Sequence, residues 1–310
     1  MPWVPEIGNA LGIVKGENRI RMTDATDLIT RAARLLDRFE ALLPNLPAKP
    51  DWEAQAFRWR KEGGRGYLRA LTHPQRLALD DLLCLDRQKA EILRNTRQFL
   101  AGRGANNILL WGSRGTGKSS LIKAIFNELR DRGLCLIEMD KDELADLPEV
   151  LDLIHGRPER FVIFCDDLSF AAGESSYKAL KAVLEGSISA APANLLIYAT
   201  SNRRHLLPEF QRENREAAMI DGEIHPGENV EEKISLSDRF GLWISFHPFT
   251  QDQYLHIVHH WLERLGAEVR EPEEVDPAAL RWALHRGSRS GRTAWQFARD
   301  WAGRGTNSGS

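Results

Sequence analysis

Residues Gly112 to Ser119 read G-S-R-G-T-G-K-S and satisfy the pattern G-x-x-x-x-G-K-S/T. That pattern needs a strand before it and a helix after it. Asn107 to Trp111 reads as a short buried strand, and Ser120 to Leu129 as a helix. Glycines let successive backbone N–H groups turn inward on a polyphosphate with no Cβ in the way, and the helix N-terminus adds partial positive charge. Lys118 can then reach the β/γ-phosphates, and the Ser119 hydroxyl can ligate Mg²⁺. The expected nucleotide-binding residues are Gly112, Ser113, Arg114, Gly115, Thr116, Gly117, Lys118, Ser119 and Ser120.

A second signal is Phe161 to Asp167, an apolar strand that ends in two carboxylates. In phosphate-loop proteins a strand lying next to the first delivers an acidic residue at its C-terminal edge, where Asp166 would hold Mg²⁺ opposite Ser119. The intervening chain has room for the strand Gly133–Met139 and a helix over Leu144 to His155. A helical pattern follows over Tyr177 to Leu184. Asn194 to Asn202 then reads as a buried strand ending in small polar residues.

From that strand onward the chain resembles the AAA+ ATPases. Their sensor 1 is a polar residue at the end of the strand beside the acidic one; Asn202 is the best match and Thr200 the runner-up. Ser235 to Gly241, S-L-S-D-R-F-G, is similar to the segment carrying the AAA+ arginine finger, which would make Arg239 complete a neighbouring subunit's ATP site. Ser288 to Ala294 is similar to the sensor 2 motif, which would bring Arg292 to the γ-phosphate. The resemblance implies an α/β fold: a three-layer α/β/α core with a mostly parallel sheet, a C-terminal helical lid and an N-terminal helical extension. Within the superfamily, the stretch from about Leu82 to Gly303 resembles an uncharacterised bacterial family of AAA+ ATP-binding proteins, through W-G-S-R-G-T-G-K-S-S, F-C-D-D-L-S-F, Y-A-T-S-N-R-R-H-L, L-S-D-R-F-G-L-W and R-S-G-R-T-A. The residue after Asp166 is usually Glu in AAA+ proteins and positions the attacking water. Here it is Asp167, one methylene shorter, which points to slow turnover because a misplacement of about 1 Å can cost orders of magnitude in rate.

The expected domains are an N-terminal helical extension and linker (1–71), the nucleotide-binding core (72–249), the helical lid (250–303) and a disordered tail (304–310). In the extension, apolar residues at helical spacing predict one amphipathic helix from Thr26 to Leu43, ended by Pro44. Trp52, Phe57 and Trp59 alternate with Arg58, Arg60, Lys61 and Arg65. Such a segment can stack on single-stranded nucleic acid, or pack its rings on a neighbouring domain and leave its charges solvated. Helices are predicted over His73 to Leu83 and Asp86 to Gly102. In the lid they are predicted over Gln251 to Leu265, from Asp276-Pro277 to Arg286, and from Gly291 to Trp301. His256, His259 and His260 have spacing that a metal could use but no acidic or Cys partner nearby, so they read as a polar helix face.

A formal net charge of −2 argues against a broadly basic nucleic-acid coat. No apolar run approaches the roughly 20 residues of a membrane span, and no secretory signal is evident. Cys84, Cys135 and Cys165 lack metal or redox spacing and read as packing thiols in a reducing cytoplasm. Asp140 to Arg160 has no aromatic residue, so no threading loop is expected. Two functions remain open. One is an ATPase using ATP and Mg²⁺ to move lid against core on an unknown protein client, as a homo-oligomer with shared ATP sites and Asp167, Asn202, Arg239 and Arg292 catalytic. The other is a nucleotide-dependent switch with slow or no hydrolysis.

Overall fold

The computed structural model describes residues 28–36, 38, 49–170, 174–186, 192–203, 206, 218–220, 223–225, 236–267 and 272–305. The chain divides into two units, Met1–Leu46 and Pro47–Ser310. In the first, residues 28–36 are helical, inside the predicted Thr26–Leu43 helix, and Leu28, Ile29, Leu35 and Leu36 are exposed. The remainder of that predicted helix lies outside the described residues.

The second unit is built on a seven-stranded sheet. Its strands are β1 (Ala56–Glu62), β2 (Arg65–Ala70), β3 (Ile108–Gly112), β4 (Leu134–Met139), β5 (Arg160–Cys165) and β6 (Leu195–Ser201), with β9 (Leu242–Phe246) at one edge. Two short strands, β7 (Ala218–Ile220) and β8 (Glu223–His225), pair only with each other. The order across the large sheet is β2-β1-β4-β5-β6-β3-β9, and every neighbouring pair is parallel except β1 with β2.

Alternation of side chains places a core on each face, as a parallel sheet covered on both sides requires. Ile108, Leu110, Leu136, Val162, Phe164, Leu196 and Tyr198 share one apolar cluster with α1 (Asp86–Leu100), α2 (Lys118–Leu129) and the C-terminal helices. Their sequence neighbours Leu109, Ile137, Ile163 and Ile197 face the opposite way. They pack with α3 (Leu147–Ile154), α4 (Ser175–Glu185), Leu236 and Phe240. The three-layer α/β/α expectation is met. The Tyr198 hydroxyl is shared with Thr96 Oγ1 at 2.8 Å and takes a 3.3 Å bond from Asn95 Nδ2, fastening β6 to α1. Burial pushes its pKa up to about 12.

The structure differs from the sequence expectations in three places. First, the aromatic and basic segment is no linker: β1 and β2 form a hairpin that belongs to the sheet, so a core beginning at residue 72 begins too late. Gly63 and Gly64, at φ 57° and 78°, make the two-residue turn that needs positive φ at both positions. Phe57 and Trp59 are fully buried, and Trp59 Nε1 donates to Asp146 Oδ2 at 3.0 Å. The intervening charges are paired: Arg58 with Glu138, Arg60 with Asp140 and Glu143, Lys61 with Asp146. The signal that was missed was period-two alternation around a Gly-Gly pair. Second, β5 is not beside β3, because β6 lies between them. Third, His73 to Leu83 is not a helix; only a 3₁₀ turn at Leu79–Asp81 forms there.

The lid comprises α5 (Gln251–Arg264), α6 (Pro272–His285) and α7 (Gly291–Gly305). Thr250 caps α5: its Oγ1 accepts from Gln253 N–H at 3.3 Å while Gln253 Oε1 accepts from Thr250 N–H at 3.0 Å. Helix α6 starts at Pro272, earlier than predicted, with Pro277 inside it. Helix α7 continues to Gly305, two residues into the predicted tail; residues 306–310 lie outside the described residues. His259 bonds Asp276 at 2.7 Å, tying α5 to α6, and among the described residues no three or more His, Cys, Asp or Glu side chains come together as a metal-binding group.

Candidate functional site

Strand β3 ends at Gly112, and the next loop delivers α2, whose first residue is Lys118. Two glycines are there for geometric reasons. Gly112 has φ 133°, and a Cβ on it would lie 1.9 Å from the Phe246 carbonyl oxygen of β9; Gly115 has φ 76°, and its Cβ would lie 2.8 Å from Ser290. Thr116 Oγ1 donates to Ser113 O at 2.8 Å and braces the turn. The Lys118 ammonium donates to Gly112 O (2.8 Å), Ser113 O (2.7 Å) and Asn202 Oδ1 (3.1 Å). Burial lowers its pKa below the ordinary lysine value, against the opposing pull of Asp166 and Asp167.

The carboxylates at the end of β5 are held by the adjacent strand end. Thr200 Oγ1 donates to Asp166 Oδ1 at 2.5 Å and accepts from the Asp167 N–H at 2.9 Å. Ser119 Oγ also donates to Asp166 Oδ1, at 2.5 Å. Asp167 takes φ 51°, a left-handed backbone that Asp tolerates better than most residues. Asn202 Nδ2 donates to its Oδ1, and Arg114 lies 3.7 Å from its Oδ2. Both sensor 1 candidates are therefore engaged: Thr200 supports the acidic pair, while Asn202 connects Lys118 to Asp167.

The lid reaches the same place. Ser290 caps α7 by accepting from Thr293 N–H at 3.2 Å, and Gly291 N–H donates to the Gly115 carbonyl at 3.0 Å. Arg292, the second residue of α7, thus stands beside the phosphate loop. A cleft of about 840 Å³ is lined by Arg114 to Ser120, Asp166, Asp167, Thr200, Asn202 and Arg292. It continues past Leu82, Leu83 and Leu85 to Trp261 and Trp295 of the lid, which sequence periodicity alone did not single out. Arg239 does not line the cleft; it pairs with Glu185 of α4. A second cavity, about 430 Å³, opens near the start of β5 and β6 beside Arg103 and Arg160 and contains none of the expected site residues.

A family described as proteins of unknown function, DUF815, matches residues 52–305. The chain belongs to the DUF815 family. The match begins just before β1, so the hairpin is part of the family's common fold. With the G-x-x-x-x-G-K-S loop after β3, β5 separated from β3 by β6, and three C-terminal helices that reach the loop through Gly291, this DUF815 chain has the α/β/α core and helical lid that the sequence implied. No curated protein matches it. Among solved structures it is similar to the Thermotoga maritima RuvB Holliday junction branch migration motor: 16% identity, TM-score 0.47, 72% of this chain and 63% of that one. It is also similar to the Aeropyrum pernix ORC1 protein in complex with DNA: 15%, TM-score 0.48, 68% of this chain and 57% of that one. The FIGL-1 AAA domain in complex with ADP gives 17% identity and TM-score 0.47, with 76% of each chain covered. The chain spans less than two thirds of the RuvB and ORC1 chains that it matches.

Proposed function

We propose that this chain binds ATP with Mg²⁺ between core and lid and hydrolyses it slowly, turning the nucleotide cycle into movement of lid against core on a protein partner. The observation that carries this reading is convergence. Lys118, Ser119, Asp166, Asp167, Asn202 and Arg292 come from separate parts of the sequence and line one cleft. Lys118 would neutralise the β/γ-phosphates. The Ser119 hydroxyl and Asp166 carboxylate, already in contact, are hard oxygen donors suited to Mg²⁺, which keeps its other positions for water and phosphate. That ion would supply positive charge against the transferring phosphoryl group. Asp167 would orient the attacking water, with Asn202 holding its carboxylate, and Arg292 would meet the γ-phosphate.

Arg239 would act on a neighbouring subunit, which its position outside its own cleft supports. A protein partner is favoured over nucleic acid. The basic residues of β1 are consumed by acids of the same chain, and the net charge is −2. Among the described residues no helix is long and apolar enough to cross a membrane, and the three cysteines are unbridged thiols, which suits a reducing cytoplasm.

The switch reading draws on Asp167 itself, a short carboxylate already engaged by Asn202 and close to Arg114. One experiment separates the two: calorimetry of MgATP binding beside phosphate release, with Lys118→Ala as the blank. Binding with turnover above the blank supports the ATPase. Binding without turnover selects the switch, and no binding rejects both.

A further inference from the structure

The second cavity, at the opposite end of the sheet, carries charge that its own wall does not neutralise. That wall comes from the loop after α1, from Arg160 at the start of β5 and from the first residues of β6. The parallel strands β3, β5 and β6 run from this end toward the Lys118 cleft. Strand β6 alone, at seven residues, spans about 20 Å, and the two cavities share no lining residue. Arg103 and Arg160 line the cavity, and no Asp or Glu among the described residues does. Glu159, next to Arg160 in sequence, is spent: Arg157 donates to both of its oxygens, from Nε at 3.0 Å and from Nη2 at 2.6 Å.

Arg160 is fixed in place. Its Nη1 donates to the Ala193 carbonyl at 2.7 Å, and its guanidinium carbon stands 5.4 Å from the centroid of the Phe99 ring. Gly102, at φ 69°, leaves room on another side, for a Cβ there would lie 3.3 Å from Nη2. A guanidinium presents five N–H donors in a planar fork, and among the described residues only Nη1 is engaged. The rest of the fork matches the paired oxygens of a carboxylate or a phosphate. Beside it the wall turns apolar, with Phe99, Val183, Pro192 and Leu195.

The geometry points to a second binding site in this cavity, for a small organic oxyanion: a carboxylate or phosphate ester gripped by Arg160 and Arg103, with an apolar body against Phe99, Val183 and Leu195. The anion supplies the counter-charge that the wall lacks, and the apolar body removes the adjoining side chains from water. A volume of about 430 Å³ lies within the range of small-molecule sites, about 300–1,000 Å³. The site does not depend on what the Lys118 cleft binds.

The test is methyl NMR of the full chain titrated with benzoate, phenyl phosphate, inorganic phosphate and benzamide. Signals of Val183, Leu195 and Leu196 report this cavity, and Leu83 reports the Lys118 cleft separately. Benzoate or phenyl phosphate should shift the first set saturably, and the tighter of the two identifies the anionic group. Benzamide, the neutral counterpart of benzoate, should bind at least about ten-fold more weakly, and inorganic phosphate should be about ten-fold weaker than phenyl phosphate. Arg160→Gln, which can still donate to the Ala193 carbonyl, should weaken the tighter anion by about ten-fold. Arg103→Ser changes an exposed side chain, should weaken it about three-fold or more, and decides the matter if Arg160→Gln does not fold. The inference is overturned if neither organic anion gives saturable shifts in this cavity, or if every variant that folds keeps wild-type affinity. Benzamide as tight as benzoate, or inorganic phosphate as tight as phenyl phosphate, overturns it as well.

Discussion

Lys118 and Asn202 stand 84 positions apart in the chain and are joined by a 3.1 Å hydrogen bond from the ammonium to the amide oxygen. The same amide donates to Asp167 from its nitrogen. One neutral side chain therefore connects the ammonium proposed to meet the phosphates with the carboxylate proposed to orient water. Asn202→Ala should lower turnover by about ten-fold or more and change MgATP affinity by less than three-fold, because other donors remain on the phosphates. Equal losses in kcat and affinity would show that Asn202 merely supports the loop.

Lys118→Ala should abolish ATP binding in calorimetry with the circular dichroism spectrum intact. The wild-type pH profile carries a further sign. Burial lowers the Lys118 pKa, so ammonium is lost, and ATP affinity with it, at a pH below that of an ordinary lysine. Stability moves the other way: the fold sheds the cost of a buried charge as pH rises through the lowered pKa toward the unfolded value. Affinity that falls with rising pH in wild type but holds in Lys118→Arg identifies this group.

Asp166 and Asp167 should separate metal binding from water positioning. Asp166→Asn is expected to weaken the Mg²⁺ dependence of ATP binding, and Asp167→Asn to keep binding and lose hydrolysis. Asn also tolerates the φ of 51° at Asp167. Asp167→Glu restores the missing methylene and should raise the rate. A rate unchanged or lower would mean that carboxylate length does not limit turnover.

Gly115→Ala tests the joint between lid and loop. The left-handed backbone costs about 1–3 kcal/mol for a non-glycine residue, and the new Cβ would sit 2.8 Å from Ser290. A lower Tm and weaker MgATP binding are expected, with Ser290→Gly recovering part of the loss by removing the clash and leaving the φ strain. An unchanged melting curve would mean the joint contributes nothing to stability.

Arg239→Ala should leave ATP binding intact and remove most hydrolysis. Mixed with Lys118→Ala protein, itself inactive, it should recover partial activity, since some interfaces would pair an intact loop with an intact arginine. Mixtures that stay inactive despite verified co-assembly would end the shared-site reading.

Much of the site was legible before folding because its chemistry is local. Gly112 to Ser119 is a contiguous turn whose residue pattern is complete within one short stretch, and Asp166 and Asp167 end a strand recognisable by its apolar run. The β1–β2 hairpin was misread for a physical reason. Arg58, Arg60 and Lys61 look like a basic surface until their acid partners, some 80 residues later, are brought alongside.

What the amino-acid order determined by itself was the G-x-x-x-x-G-K-S loop, the acidic strand end, the central strands β3 to β6 and the three lid helices, all set by short-range backbone preference and by apolar spacing; β1, β2 and β9 were not among them. Tertiary structure alone decided that β6 separates β5 from β3, that Asn202 spans Lys118 and Asp167, that Gly115 meets Ser290, and that Trp261 meets Trp295. Those contacts join distant segments. Their geometry follows from how the two faces of the sheet are packed, which no local spacing records.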